Sequence, residues 1–196
     1  MGRKRQFDEN AVLERAMLLF WQRGYQATTF ALLEQQMGVT GRSLVNCFGD
    51  KDALFHRALQ AYLTMAADIL SRQFANPGVA AIQAFFVDIE NAPADSPRQY
   101  GCLIGNTLFE MRNSHQAVAD SIDRFRGMLL ERFRSSLVAD AIAQPEGRAE
   151  LLLNLFWGAV AEIRRTGTTT AIAVTNRELE NLLAGWQAGA GRNARS

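Results

Sequence analysis

The chain has 196 residues, of which 48% are hydrophobic, and its formal net charge is +1. This length and hydrophobic share allow a sizeable core and exclude wholesale disorder. A charge so close to zero excludes a polycation that binds nucleic acid over its whole surface. The charge is unevenly spread, however, because residues 1–60 hold eight Lys or Arg against six Asp or Glu.

The first two helices are predicted from the residues at their ends. Asp8 is a typical N-cap and Gly24 a typical terminator, so we predict a helix between them. Thr28 or Thr29 begins a second helix, which ends at Gly38 because glycine turns the chain there without steric cost.

A third, short helix follows directly, with Thr40 as its cap and residues 41–47 as its body. Two short helices that meet at a glycine have the layout of a helix-turn-helix. The outward residues of the second one are Arg42, Ser43 and Asn46. Because arginine pairs with guanine, asparagine with adenine and serine with either, this face suits a DNA major groove. The alternative is a polar face that only meets water, since such helix pairs also occur as packing motifs.

The remainder of the chain predicts six more helices and no strand. Asp50 caps a long helix that runs to about Phe74. The helices after it are predicted over residues 79–89, 102–111, 114–143, 148–165 and 176–188, and residues 91–101 form a long loop. The predicted fold class is therefore all-α, with about nine helices.

The order of these signals in the first 60 residues resembles the DNA-binding domain of the TetR family of bacterial transcriptional regulators. The matching features are the capped first helix, the Gly24-Tyr25 step, the threonine-led second helix, the turn at residues 38–40 and the segment 48–51 that opens the fourth helix. The resemblance implies an arm and helix-turn-helix domain over residues 1–49 and a connecting helix over residues 50–74. It further implies a ligand-binding and dimerisation domain over residues 75–190 and a disordered tail over residues 191–196.

The same resemblance implies a transcriptional repressor, not an enzyme, that binds a palindromic double-stranded DNA operator as a homodimer. A small-molecule inducer held among the middle helices would release it. The residues expected to bind DNA are the basic arm Arg3, Lys4 and Arg5, together with Thr29, Thr40, Gly41, Arg42, Ser43, Asn46 and Lys51.

Two residues depart from the family pattern. Val45 stands where the family has a tyrosine placed to reach a phosphate, and valine cannot donate that hydrogen bond. Glu34 stands at the contact of the two helices, where the family has a small or apolar residue. These departures favour an alternative function, a helical small-molecule or redox sensor or adaptor with weak or lost DNA binding.

The expected inducer site combines apolar and aromatic residues with a few polar groups that would orient a ligand. The alternative is that each is ordinary core or surface. The residues are Phe85, Phe86, Ile89, Cys102, Leu103, Asn106, Thr107, Glu110, Phe125, Arg126, Leu129 and Trp157.

The last two helices carry more apolar residues than a surface helix needs. Either these residues fill the core of one subunit, or they meet a second copy in a four-helix bundle, which the resemblance favours. The residues are Leu152, Leu155, Phe156, Ala159, Ile163, Leu179, Leu182, Leu183 and Trp186.

Cys102 begins a predicted helix after the long loop, so we expect the helix dipole to lower its pKa and make the thiol responsive to oxidants. The alternative is a small buried residue. The sequence contains no motif for a cofactor, a metal or a known catalytic centre. It also contains no membrane span or signal peptide, so we expect a cytoplasmic protein.

Overall fold

The computed structural model describes residues 7–111 and 116–193. These residues form nine α-helices and two short 3₁₀ helices and contain no strand, which confirms the predicted all-α fold. The α-helices are α1 (Glu9–Arg23), α2 (Phe30–Met37), α3 (Gly41–Phe48), α4 (Lys51–Gln73), α5 (Val79–Glu90), α6 (Leu103–Glu110), α7 (Gln116–Ala139), α8 (Pro145–Thr166) and α9 (Ala173–Asn193). The 3₁₀ helices are Pro97–Tyr100 and Thr169–Ile172.

The predicted helix ends in the head, residues 7–49, follow from side-chain caps. Asp8 accepts hydrogen bonds from the N–H groups of Asn10 and Ala11 at the start of α1. The Thr29 hydroxyl accepts from Leu32 N at 3.2 Å and therefore caps α2. Between α2 and α3, Gly38 has a φ of 66°, a left-handed conformation that glycine adopts without a Cβ clash.

The later helices differ from the sequence-based bounds for local reasons. Helix α7 ends at Ala139 instead of residue 143, because Ala141 has a positive φ of 54° that no helix continues. Its predicted start at residue 114 lies outside the described residues. Helix α8 begins at Pro145, three residues early, because proline has no N–H and the first helical turn needs none.

Two further bounds also change. The predicted loop over residues 91–101 contains a 3₁₀ helix with Pro97 in its first turn. Helix α9 begins at Ala173 and continues to Asn193, so residues 191–193 of the expected tail are helical and residues 194–196 lie outside the described part.

One apolar core joins the head to the body, residues 75–193. Helix α1 packs on α4, α4 on α7 and α7 on α8. Phe20 of α1 and Phe55 of α4 meet edge to face with ring centroids 4.9 Å apart, and both are buried. Burying a large apolar side chain contributes about 1.5–3 kcal/mol, so this shared core ties the head to the first turns of α4.

Candidate DNA-binding and ligand-binding sites

The outer face of α3 is the candidate DNA-binding surface. Leu44 and Phe48 anchor the helix in the core, which leaves Arg42, Val45 and Asn46 exposed. Val45 is 50% exposed, so an apolar side chain lies in the middle of this polar face. The structure thus places two of the three predicted base-reading residues fully on the surface.

Ser43 is placed differently from its two neighbours. It is half-buried, and its Oγ lies 3.0 Å from the hydroxyl of Thr40. Thr40 also accepts a hydrogen bond from Ser43 N at 3.3 Å and is therefore the cap at the start of α3. Since a hydroxyl has one donor and two acceptor sites, Ser43 retains capacity for a further hydrogen bond beside the one to Thr40.

The carboxylate of Glu34, at the contact of α2 and α3, is accommodated because it lies on the surface and accepts a backbone hydrogen bond. The side chain is exposed, and its Oε1 accepts a hydrogen bond from Gly41 N at the first turn of α3. Gly41 has no Cβ that would collide with the carboxylate. A negative charge therefore stands at the N-terminus of the candidate DNA-binding helix, where the helix dipole stabilises it.

Three other residues predicted to contact DNA, Thr29, Thr40 and Lys51, lie at the starts of α2, α3 and α4. Thr29 and Thr40 are exposed caps, whereas Lys51 is half-buried at the start of α4, with its Nζ 4.1 Å from the centroid of the Tyr25 ring. The ring thereby holds the ammonium group near the junction of α3 and α4. Arg3, Lys4 and Arg5 lie outside the described residues.

A cavity opens in the body beneath the head. About 90 Å³ of its interior is open to a water-sized molecule. Its wall comes from five of the nine α-helices of the described chain and from Arg98, Gly101 and Cys102, and most of its side chains are apolar or aromatic. A wall of this apolar and aromatic character is typical of sites for small organic molecules.

Five of the twelve residues predicted from sequence for the ligand site line this cavity. They are Phe85, Ile89, Cys102, Phe125 and Leu129. The other seven are absent from its wall; they are Phe86, Leu103, Asn106, Thr107, Glu110, Arg126 and Trp157.

Several of those seven residues have other structural roles. Arg126 forms an exposed ion pair with Glu150 at 2.6 Å. Asn106 Nδ2 donates to Tyr100 O at 2.8 Å, and Thr107 donates to Leu103 O within α6. Arg126 and Thr107 thus have partners within the protein, whereas Asn106 Oδ1 is buried with no hydrogen-bond partner among the described residues and lies outside the cavity wall.

The wall also contains residues that sequence reasoning missed. Trp21 of α1 reaches the cavity, and its Nε1 donates to Gly101 O at 2.9 Å. Tyr62 and Met65 lie on the apolar stripe of α4, which was the available signal for their inward position. The cavity wall thus includes a residue of the head.

Glu110, predicted for the ligand site, instead connects the body to the head. Its two carboxylate oxygens accept hydrogen bonds from Tyr25 N at 2.9 Å and from Gln26 N at 2.7 Å. Arg164 of α8 donates to Gln22 O at 2.6 Å from the other side. The end of α1 is therefore held by α6 and α8 together.

Cys102 is the N-cap of α6 and is buried. The Tyr62 hydroxyl donates to its Sγ at 3.2 Å. Burial raises the pKa of the Cys102 thiol and outweighs the hydrogen bonds from Tyr62, Gly105 and Ile104, which lower it. The expected lowering of this pKa is therefore wrong, because the thiol is shielded from water, and the structure favours a neutral thiol.

Most of the residues predicted for dimerisation are buried inside the subunit. Leu155, Leu182 and Trp186 are half-buried, and the other six fill the core or the cavity wall. Those six are Leu152, Phe156, Ala159, Ile163, Leu179 and Leu183. On the outer side of α8 and α9, Leu151 is 42% exposed and Val174 is 65% exposed.

The described residues contain neither a metal-binding cluster nor a membrane-spanning helix. No group of three or more His, Cys, Asp or Glu within residues 7–111 and 116–193 is arranged to hold a metal ion. None of the described helices combines the length and apolar character needed to cross a membrane.

Comparisons with known proteins agree on one family. Residues 12–58 match the model for bacterial regulatory proteins of the tetR family. The chain is 30% identical over 140 residues to YezE of Bacillus subtilis (strain 168), an uncharacterized HTH-type transcriptional regulator, covering 70% of this chain and 72% of YezE. It is 28% identical over 148 residues to the HTH-type transcriptional repressor ComR of Escherichia coli (strain K12), covering 74% of this chain and 70% of ComR.

Solved structures extend the similarity to the whole fold. A cysteine mutant of the TetR family regulator CifR, complexed with 26-base-pair operator DNA, superposes with a TM-score of 0.76 at 25% identity, covering 94% of this chain and 100% of that one. A TetR regulator from Legionella pneumophila superposes with a TM-score of 0.78 at 18% identity, covering 92% and 99% of the two chains, and shows the fold alone.

Proposed function

Because this chain belongs to the TetR family of bacterial transcriptional regulators, we propose that it is a repressor that binds a palindromic DNA operator as a homodimer. A small molecule that enters the cavity would release it. The observation that carries the DNA-binding part is the outer face of α3, where Arg42 and Asn46 are exposed on a helix capped at its start and anchored by two buried side chains. The similarity to ComR, a repressor, and to CifR, which was solved on operator DNA, supports the same proposal.

The test is a gel shift with a palindromic duplex from the region upstream of the protein's own coding sequence. We expect sequence-selective binding that weakens steeply as salt rises, because phosphate contacts release counterions. A duplex with the same composition in scrambled order is the control. If the protein binds neither duplex at low salt, the proposal of a DNA-binding regulator is wrong. The alternative function, a sensor or adaptor without DNA binding, is then favoured.

Homodimerisation is the second part of the proposal. Two α3 helices about 34 Å apart would read the two halves of a palindrome. The outer side of α8 and α9 offers the exposed Leu151 and Val174 beside the half-buried Leu155 and Leu182. We propose that this surface meets its symmetry mate, in place of the six core residues first expected there.

Sedimentation equilibrium tests the surface. Leu151→Glu places a carboxylate on each copy within the proposed interface, and we expect it to shift the protein from dimer to monomer. Val138→Glu is a matched control, because Val138 on α7 is 51% exposed and lies outside α8 and α9. Equal loss of dimer in both variants, or in neither, would contradict this interface.

The position of the cavity supports the proposal that a small molecule releases the protein from DNA. Its wall contains Trp21 from α1, so a molecule inside would touch a helix of the head. We place the regulator in the bacterial cytoplasm, where its DNA is and where Cys47 and Cys102, which form no disulfide, would stay reduced.

A further inference from the structure

Gln73, at the last turn of α4, lies on the cavity wall, and only one of its two amide heavy atoms has a hydrogen-bond partner. Its Nε2 donates to Asp88 Oδ2 at 2.7 Å. Its Oε1 is buried and has no hydrogen-bond partner within the described part of the chain. A buried acceptor without a partner is rare in folded proteins, and it often marks a place that another molecule fills.

The orientation of this amide is determined by its neighbour. Asp88 Oδ2 also accepts from Arg98 Nη1 at 2.6 Å, so this carboxylate oxygen is the acceptor toward both neighbours. Turning the Gln73 amide over would bring its oxygen against the carboxylate oxygen. The Gln73 oxygen is therefore the atom left unpaired, and it requires a donor.

The other polar side chains of the wall already have partners. Trp21 donates to Gly101 O, Tyr62 donates to Cys102 Sγ, and Arg98 is paired with Asp88. The remaining side chains are hydrophobic, among them Met65, Ile69, Phe85, Phe125, Phe156 and Ile163. One unmet acceptor thus stands in an otherwise satisfied, apolar wall.

The wall carries no net charge. Arg98 and Asp88 neutralise each other at its outer edge, where both are partly exposed. Burial raises the pKa of Tyr62 and of Cys102, so both stay protonated and neutral. A charged ligand would lose its hydration without gaining a counter-charge, which is costly.

We propose that the cavity binds a neutral, largely apolar molecule that carries one hydroxyl or N–H group, and that this group donates a hydrogen bond to Gln73 Oε1. The proposal rests on the proposed function, since it gives the chemical class of the inducer. An ether or hydrocarbon of the same shape would fill the apolar space and leave the Gln73 oxygen unpaired. The site therefore selects ligands that carry a hydrogen-bond donor, and not only ligands of the right size.

The test is isothermal titration calorimetry on the full chain without DNA. Three matched pairs serve as probes: 4-propylphenol with 4-propylanisole, 2-naphthol with 2-methoxynaphthalene, and 1-octanol with 1-methoxyheptane. For each pair the measured quantity is the ratio of the two dissociation constants. Comparing this ratio between variants cancels the difference in hydrophobicity between a hydroxyl compound and its ether.

We expect the preference for the hydroxyl compound, in at least one pair, to be about tenfold larger in the wild type than in Gln73→Leu. Gln73→Met, which keeps the length of the side chain, should lose the preference to the same extent. Gln83→Leu on α5, a residue outside the cavity wall, is the control and should keep it. Thermal unfolding of each variant identifies any that does not fold.

Equal preferences in the wild type and both Gln73 variants would overturn the proposal, as would the absence of binding by all six probes. These outcomes are independent of the gel shift. A protein that binds its operator but shows no dependence on Gln73 would keep the proposed function and lose this inference. A protein that binds no DNA but prefers the hydroxyl probes through Gln73 would do the reverse.

Discussion

Arg42 and Lys51 carry the same charge in different surroundings. Arg42 is exposed in the first turn of α3, where a guanidinium can reach base edges in a major groove. Lys51 is half-buried against Tyr25, at the junction of α3 and α4, where an ammonium can reach a phosphate. Phosphate contacts position the protein, whereas base contacts give sequence preference.

We therefore expect Arg42→Ala to lower the discrimination between operator and scrambled duplex by about 1–3 kcal/mol. Lys51→Ala should weaken binding to both duplexes alike and reduce the salt dependence. Titration of each variant against both duplexes by fluorescence anisotropy measures the difference. If Arg42→Ala weakens both duplexes equally, Arg42 does not read bases.

At the scale of the element, the junction of α2 and α3 is stabilised by two side chains that accept hydrogen bonds from the first N–H groups of α3. An isolated helix of eight residues, the length of α3, is unstable in water, so α3 depends on its caps and on its buried side chains. Thr40 accepts from Ser43 N, and Glu34 accepts from Gly41 N. Glu34 therefore favours the folding of α3 while its charge opposes the approach of phosphates.

Two substitutions of Glu34 separate these effects. Glu34→Gln keeps an oxygen for Gly41 N and removes the charge, so stability should be retained. Glu34→Ala removes both and should lower the free energy of unfolding by about 0.5–1 kcal/mol, measured by urea denaturation. Both should raise the affinity for operator and scrambled duplex by a common factor, on the order of threefold at low salt. Unchanged DNA affinity in both variants would show that the charge is too far from the phosphates to matter.

At the scale of the whole molecule, the end of α1 is the joint between head and body. Glu110 accepts from the N–H groups of Tyr25 and Gln26, Arg164 donates to Gln22 O, and Trp21 is bonded to Gly101. Trp21 also lines the cavity, so the residues that hold the head lie next to the space for a ligand. A shift of this joint would move α1 and, through the shared core, the base of α4.

We expect Glu110→Ala to speed the hydrogen exchange of the Tyr25 and Gln26 amides by about tenfold or more, because a hydrogen bond to a charged group contributes about 1.5–3 kcal/mol. Exchange followed by NMR measures these two amides individually. Glu150→Ala, which removes a carboxylate paired with Arg126 at the surface, is the control and should leave both amides unchanged. If these two amides exchange equally slowly in Glu110→Ala and in the wild type, Glu110 does not hold the end of α1.

The sequence by itself determined the all-α fold and the helix-turn-helix, because the signals for both are local. Asp8, Thr29 and Thr40 cap helices through atoms two or three residues away, and Gly38 turns the chain with its own backbone. Apolar spacing indicates which side of a helix is buried, and Leu33 and Leu44, on the apolar sides of α2 and α3, are both fully buried. Such interactions need no knowledge of the remaining chain.

Only the tertiary structure decided what each buried face packs against. Ile163 and Leu179 are as apolar as a dimer contact would require, yet both lie in the subunit's own core, because periodicity does not name the partner. The cavity depends on residues distant in sequence, such as Trp21 and Gly101, whose hydrogen bond spans 80 positions. Glu110 was predicted to line the ligand site but binds the N–H groups of Tyr25 and Gln26 in the head, because only the fold determines which donors lie near a carboxylate.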